Sequence, residues 1–244
     1  MPRFFMAGSN IAGGVAVIKG QDADHVRVLR MKLGEKLVIS DGEGTDYNCV
    51  LSRMGENIIE ARVLDSLPSP AEPSVRCIVL TGFSKGDRSD YTVQKSVESG
   101  ASEIVFFPCE RCVSRPDGKS LDKKIMRWQR IAEEAAKQAG RGIIPVVSAA
   151  SDLASAINLA IKTDLPLFLY ETGDRIPLKQ AIENTAPLTS AAIMTGPEGG
   201  FEPFETELAK HAGMLICSMG PRILRCETAP VTALTSIMYA TGNL

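Results

Sequence analysis

Two glycine-bearing turns hold the residues of this chain whose types and spacing suit chemistry on a small ligand. The first, Gly196-Pro-Glu-Gly-Gly200, follows an apolar strand-like run at 191–195 and precedes an acidic helix-like run at 201–213. A glycine-rich turn from strand to helix is where α/β proteins commonly seat a ligand, because backbone N–H groups stay open there. This turn has no Lys and so is not a phosphate cradle, and Glu198 and Glu202 would repel a phosphate at the helix start. An uncharged or cationic ligand suits it better. The second segment, Met219-Gly-Pro-Arg-Ile-Leu-Arg-Cys-Glu-Thr-Ala229, places Arg222 and Arg225 just before a final apolar helix. Guanidinium groups stay protonated, so these arginines serve to stabilise negative charge and not to accept a proton. Two such loops from one sheet enclose one pocket.

The elements that must position these turns follow from patterning. Leu67-Pro-Ser-Pro-Ala-Glu-Pro73 carries three prolines and supports neither helix nor central strand, so the domain boundary is placed there, between 1–70 and 74–244. Upstream, short β-like runs at 36–40, 47–51 and 58–64 are joined by the turn formers Asp41-Gly-Glu-Gly44 and Met54-Gly-Glu-Asn57, with one short helix at 23–31. This half is expected to be a small β-rich barrel. Downstream, strands are expected at 76–81, 104–108, 167–170, 191–195 and 215–218, and helices at 90–99, 121–139, 153–161, 203–211 and 229–240. Such βα alternation indicates a mostly parallel sheet covered by helices on both faces. Pro230 fits the first turn of the last helix, where its missing N–H costs nothing.

Composition bounds what the pocket belongs to. The chain has 244 residues, which fits two domains or one large one, and 44% of them are apolar, which is ample for a core. No run of about 18 apolar residues occurs, and the start Met1-Pro-Arg-Phe-Phe-Met6 lacks the apolar stretch of a signal peptide, so a cytoplasmic protein is expected. Six scattered cysteines agree with a reducing compartment. Cys109 and Cys112 form a Cys-x-x-Cys, half of a zinc site or a redox pair. The plain reading is preferred, since no second pair stands at ligand spacing and the histidines are only His25 and His211. No metal is expected. The net charge is −2, yet residues 111–141 hold nine Lys or Arg against four acids, leaving −7 for the rest. A local basic surface on an acidic protein suits contact with phosphates in one place, as well as a merely solvated helix face.

The order of motifs carries a resemblance. Pro2-Arg-Phe-Phe5, His25-Val-Arg-Val-Leu-Arg30 with Gly34, Gln138-Ala-Gly-Arg141, Gly196-Pro-Glu-Gly-Gly-Phe201 and Gly220-Pro-Arg-Ile-Leu-Arg-Cys-Glu-Thr-Ala229 together resemble the bacterial 16S ribosomal RNA uridine-N3 methyltransferases of the SPOUT class. The resemblance runs from the first residues to the last helix. It implies a PUA-like β-barrel that helps hold RNA, then a SPOUT domain with a carboxy-terminal trefoil knot, an exception to the un-knotted rule. It implies S-adenosyl-L-methionine held by Tyr170, Glu171, Thr172, Gly196, Pro197, Glu198, Gly199, Gly200, Met219, Gly220, Ile223, Leu224 and Arg225. It also implies a homodimer with each active site near the interface, and a target uridine near the decoding centre of the assembled small subunit.

The residues fit that chemistry. Glu198 and Glu171 offset a sulfonium charge, the glycines let the main chain approach the adenine, and Ile223 and Leu224 give apolar cover. Methylation of uracil N3 requires loss of an imide proton, and the charge spreads to O2 and O4, where Arg225 and Arg222 would stabilise it. The proton acceptor is Glu227, Glu171 or an ordered water, and Glu227 equally reads as a cap for the last helix. His25 reads as a core or RNA-facing residue. Arg27, Arg30, Lys32, Arg111 and Arg115 would grip the RNA backbone, Gln138 and Arg141 would read the uracil edge, and Arg3 and Lys123 complete the RNA-facing set. Lys137 and Cys112 depart from the family's more frequent Glu and Ser. The alternative reading is a non-catalytic RNA-binding or ribosome-assembly factor of the same fold.

Overall fold

The computed structural model describes residues 1–6, 8–56 and 58–244, so the turn expected at 54–57 lies, at Asn57, outside the described residues. The chain divides into two compact units: Met1–Glu72 with Ala136–Ile144, and Pro73–Ala135 with Pro145–Leu244.

In the first unit β1 (Arg3–Phe5), β2 (Ile11–Ala12), β3 (Val15–Ile18), β4 (Lys36–Ser40), β5 (Thr45–Met54) and β6 (Ile59–Pro68) form one sheet in the order β1-β4-β5-β6-β3-β2, with helix α1 (Gly20–Val28) between β3 and β4. The β1–β4 pair is parallel and the others are antiparallel. Phe4, Ile18, Val26, Leu37, Ile39, Leu51 and Ile59 are buried together as its core. The helix ends at Val28 although the sequence pattern carries it to 31. Arg30 takes a left-handed conformation at φ 53, its N–H donates to the Arg27 carbonyl at 2.9 Å, and the Met31 N–H returns to the Val26 carbonyl at 3.3 Å. That is a Schellman closure with arginine where glycine is usual.

The expected boundary took no account of residues 136–144. Glu72 stitches them to the first unit: its carboxylate accepts from the N–H groups of Gly142 (2.8 Å) and Ile143 (3.0 Å) and from Arg141 Nη2 (2.7 Å). Ser40 Oγ donates to the Gly142 carbonyl at 2.9 Å, and Arg3 Nη1, itself on Asp46 at 2.5 Å, donates to the Arg141 carbonyl at 3.2 Å. Gly142 is required because a Cβ there would stand 2.3 Å from Ser69 Cβ.

The second unit holds β7 (Arg76–Gly82), α2 (Arg88–Glu98), β8 (Glu103–Phe107), α3 (Gly118–Ala139, its last residues belonging to the first unit), β9 (Val146–Ala149), α4 (Leu153–Ala160), β10 (Leu165–Leu169), β11 (Ile176–Pro177), α5 (Leu178–Thr185), β12 (Ser190–Thr195), α6 (Pro203–His211), β13 (Leu215–Ser218) and α7 (Thr228–Ala240). The strands form one sheet in the order β11-β13-β10-β12-β7-β8-β9, every pair parallel, as the βα alternation indicates. Parallel strands buried on both faces read as continuous apolar runs, and β12 is buried throughout after Ser190. Helices α2 and α5 pack on α7, α4 packs on α6, and α4 and α7 both lie against β7 and β12. This unit is an α/β fold around a parallel sheet.

Candidate active site

Four neighbouring strands, β13, β10, β12 and β7, end at Ser218, Leu169, Thr195 and Gly82. Ligands of open α/β sheets bind outside such carboxyl ends. The segments following β10, β12 and β13 enclose a cavity of about 590 Å³ whose floor is Leu169, Thr195 and Cys217. Of the residues expected to hold a cofactor, Tyr170, Glu171, Gly196, Pro197, Glu198, Gly199, Gly200, Met219, Gly220, Ile223, Leu224 and Arg225 all line it, and Thr172 does not. Arg222 and Glu227 line it too. The sequence reading missed Arg88, Arg175 and Cys226.

Close packing fixes the 196–200 turn. A Cβ on Gly196 would meet the Gly200 backbone at 3.0 Å, and one on Gly200, whose φ is +69°, would meet Glu171 Oε1 at 3.0 Å. Gly82, at the end of β7, is also obligatory: a Cβ there would stand 2.7 Å from Pro197 Cδ and 2.9 Å from Pro197 N. Phe201 anchors the far side of the turn, buried with its ring centroid 4.2 Å from that of Phe168. Below it the buried Glu205 carboxylate accepts from the N–H groups of Glu202 and Glu110, both at 2.8 Å.

Charge is more nearly balanced than the sequence suggested. Glu198 Oε1 accepts from the Lys85 N–H at 2.7 Å and from Arg88 Nη1 at 2.6 Å. Burial pushes its carboxyl up, but the Lys85 N–H and the Arg88 guanidinium outweigh that and hold it below its ordinary value. Arg88 Nε also stands 3.8 Å from Glu227 Oε2. Glu227 occupies the position before α7 yet makes no side-chain cap, so the capping reading is not what the side chain does; it accepts from Cys226 Sγ at 3.1 Å. Burial, then Glu227, push the Cys226 thiol up to about 12. The cap comes from the Arg225 carbonyl, which accepts from the N–H groups of Thr228 and Ala229 at 2.9 Å. The Arg222 and Arg225 side chains are exposed and make no hydrogen bond or ion pair among the described residues, so both are free to meet a ligand. Ile223 lines the cavity and is 82% exposed.

Several of the residues expected to face RNA have their donors taken up within the chain. Arg111 donates through Nε to Glu202 Oε1 (2.7 Å) and through Nη1 to the Gly199 carbonyl (2.9 Å), clamping the glycine turn. Arg115 donates to the carbonyls of Cys109, Glu110 and Cys112. Arg27 is held by Asp24 and by the carbonyls of Gly55 and Glu56, and Arg3 by Asp46. Arg141, expected to read the uracil edge, is 3% exposed and paired with Glu72, which corrects that expectation. Burial of a guanidinium requires such pairing. Arg30, Lys32, Lys123 and Gln138 remain exposed. Cys109 and Cys112 are buried with their sulfurs 3.4 Å apart, and no group of three metal-ligating side chains occurs among the described residues. No helix among them is long and apolar enough to cross a membrane.

Residues 71–238 match the RNA methyltransferase domain family, and residues 18–64 match the RNA methyltransferase PUA domain. The ribosomal RNA small subunit methyltransferase E of Bacillus subtilis is 32% identical over 232 residues, 93% of this chain and 91% of its own length. That of Mycobacterium bovis is 32% identical over 239 residues, 95% of this chain and 88% of its own length. A crystal structure of the Neisseria gonorrhoeae ribosomal RNA small subunit methyltransferase E bound to S-adenosyl methionine superposes with a TM-score of 0.85 at 30% identity, covering 98% of both chains. A putative methyltransferase from Legionella pneumophila, in complex with the same cofactor, gives 0.84 at 30% identity over 98% of this chain and 97% of its own. The chain therefore belongs to the RNA methyltransferase family of the ribosomal RNA small subunit methyltransferases E.

Proposed function

We propose that the chain methylates N3 of one uridine in 16S ribosomal RNA of the small ribosomal subunit, with S-adenosyl-L-methionine as methyl donor. The observation that carries this reading is the cavity over the ends of β10, β12 and β13, where a glycine cradle faces the free guanidinium groups of Arg222 and Arg225. The residues fit the cofactor: a Cβ at Gly196 or Gly200 would fill its cradle, the lining holds carboxylates, and no lysine phosphate cradle is present. Bound there, the cofactor supplies an electrophilic methyl group on a sulfonium. Glu171, whose carboxylate leans on Gly200, complements a cation; Glu198 shares its charge with Arg88 and contributes less. Arg225 and Arg222 stabilise the negative charge that the uracil carbonyl oxygens acquire as the imide proton leaves, and Glu227 or Glu171 accepts that proton.

In this reading the first unit is a PUA-like barrel that grips RNA with Arg30 and Lys32, aided by Lys123 and Gln138, and the loops of the cavity are threaded as a SPOUT trefoil knot. Domain boundaries fall at 1–70 and 74–244, with residues 136–144 returning to the first. The enzyme works in the cytoplasm as a homodimer whose contact includes the apolar helix α7. The test is incubation of purified small subunits lacking the modification with methyl-labelled S-adenosyl-L-methionine, followed by nucleoside mass spectrometry. One labelled N3-methyluridine per 16S ribosomal RNA supports the reading. Label on ribose, on another base, or absent overturns it.

A further inference from the structure

Two buried cysteines that the chemistry of the cavity does not use stand directly against its glycine turn. Strand β8 ends at Phe107, and residues 109–112 close a turn in which the Cys112 N–H donates to the Cys109 carbonyl at 3.1 Å. The turn folds the two side chains together, with their sulfurs 3.4 Å apart. The Cys109 N–H also donates to Cys112 Sγ at 3.4 Å, and the Arg115 guanidinium spans the turn to the carbonyls of Cys109, Glu110 and Cys112. Donors gathered on one sulfur favour its thiolate. The hydrogen bond from Cys109 draws Cys112 down to about 7 against its burial, and the same bond raises Cys109. The two residues between the cysteines hold the cofactor turn. The Glu110 N–H donates to the Glu205 carboxylate at 2.8 Å, and Arg111 donates to Glu202 Oε1 at 2.7 Å and to the Gly199 carbonyl at 2.9 Å. A Cβ on Gly199 would stand 3.0 Å from Arg111 Cβ, so a movement of the 109–112 turn passes to the cradle.

We propose that Cys109 and Cys112 are a modification site, closed by hydrogen peroxide into a reversible disulfide that loosens the Arg111 clamp and weakens cofactor binding. The effect on the cofactor rests on the methyltransferase reading; the disulfide does not. The Cys112 thiolate attacks one peroxide oxygen, the O–O bond breaks, and hydroxide leaves, so that Cys112 becomes a sulfenic acid. Cys109 then attacks the Cys112 sulfur, the S–O bond breaks, and the Cys109 proton leaves with the hydroxyl group as water. Two thiols are oxidised, one peroxide is reduced, and two waters form. Peroxide is small enough to reach sulfurs on residues that are 6% exposed. The ends of a four-residue turn lie within about 7 Å of each other, inside the Cα separation that a disulfide spans, so closure needs no unfolding. It does need movement. An S–S bond is about 2.05 Å long, so the sulfurs approach by roughly 1.4 Å and draw the turn with them. The Arg111 hydrogen bonds do not survive a stretch of that order. A disulfide of this kind in a reducing compartment is transient, as a sensor requires.

The test treats the full chain with hydrogen peroxide, alkylates the remaining thiols and maps the peptides by mass, with calorimetry of S-adenosyl-L-methionine binding on the same samples. Cys109 and Cys112 should be found joined, while Cys77 and Cys217 stay thiols, and dithiothreitol should restore the pair. In Cys109→Ser the reaction should stop at a Cys112 sulfenic acid, trapped by dimedone. Affinity for S-adenosyl-L-methionine should fall by about tenfold or more in the oxidised wild type, as for the loss of charge-assisted hydrogen bonds, and should return with dithiothreitol. Dithiothreitol does not reduce methionine sulfoxide, so its reversal separates the disulfide from oxidation of Met219 in the cavity. Cys112→Ser should show no loss of affinity that dithiothreitol restores. Cys109 and Cys112 that remain thiols at peroxide concentrations that oxidise the exposed Met1, Met54 and Met126 overturn the proposal, as does a disulfide that leaves affinity unchanged. A reduced wild-type chain that binds no S-adenosyl-L-methionine overturns the methyltransferase reading instead, while the peptide map still decides the disulfide, so the two failures are distinguishable.

Discussion

Gly82→Ala is the sharpest test of how the cofactor turn is held. The added Cβ would stand 2.7 Å from Pro197 Cδ and 2.9 Å from Pro197 N. Carbon atoms pack best at about 3.5–4.0 Å, so one side must retreat by roughly 1 Å. Pro197 is a ring within the main chain and has no rotamer that yields, so the retreat falls on the 196–197 backbone. Overpacking of this kind costs about 1–3 kcal/mol, which in a chain of this size lowers the melting temperature by roughly 2–12 °C. The same shift displaces the cradle, and a misplacement of about 1 Å in a site costs on the order of a hundredfold in rate. Single-turnover methylation, isothermal calorimetry with S-adenosyl-L-methionine and thermal unfolding by circular dichroism read these effects. Gly8→Ala, where nothing lies within 4 Å of the new Cβ, is the control and should change stability by no more than about 0.5 kcal/mol. If Gly82→Ala binds the cofactor and melts as the wild type does, the packing argument is wrong.

Arg225→Lys should lower single-turnover methylation of small subunits by a factor on the order of 10²–10³ while calorimetric cofactor affinity holds; a loss confined to affinity would make Arg225 a binding residue. Arg141→Met leaves the partly buried Glu72 carboxylate with only the Gly142 and Ile143 N–H groups and should cost about 1–3 kcal/mol, read by denaturant unfolding, whereas an unchanged midpoint would contradict the role given to that pair. Glu198 sits below its ordinary carboxyl value of 4.5, so its stabilising contribution is complete above that value and is lost as the pH falls through the lower folded value. Glu198→Gln should therefore flatten the acid limb of the stability profile below about 4.5, and an unaltered limb would refute the assignment. The hydrogen bond from Cys109 draws the Cys112 thiol down to about 7 against its burial, while burial raises Cys77 and Cys217 to about 12. Mass-mapped alkylation near neutral pH should find Cys112 modified before the other two, and the reverse order would count against that hydrogen bond.

What was legible in the sequence was whatever chain-local pattern decides. The apolar runs of β12 and β13 and the glycine turn after Thr195 are determined by neighbours in sequence, and the two motifs duly line one cavity. Gly82 and Arg88 escaped because their partners, Pro197 and Glu198, are adjacent only once β7 and β12 pair in parallel. The basic segment misled for a related reason. Sequence shows the charge of Arg111, Arg115 and Arg141 but not the carbonyls and carboxylates that consume their donors after folding. Short elements such as β2, β9, β11 and α5 offered too few residues for a period to emerge.

The central claim is that this chain places one methyl group on a 16S ribosomal RNA uridine, and nucleoside mass spectrometry of ribosomal RNA from a strain deleted for the gene tests it most directly. One N3-methyluridine should vanish from 16S ribosomal RNA and return with the wild-type gene but not with Arg225→Ala. An unchanged complement of methylated uridines in the deletion strain would contradict it.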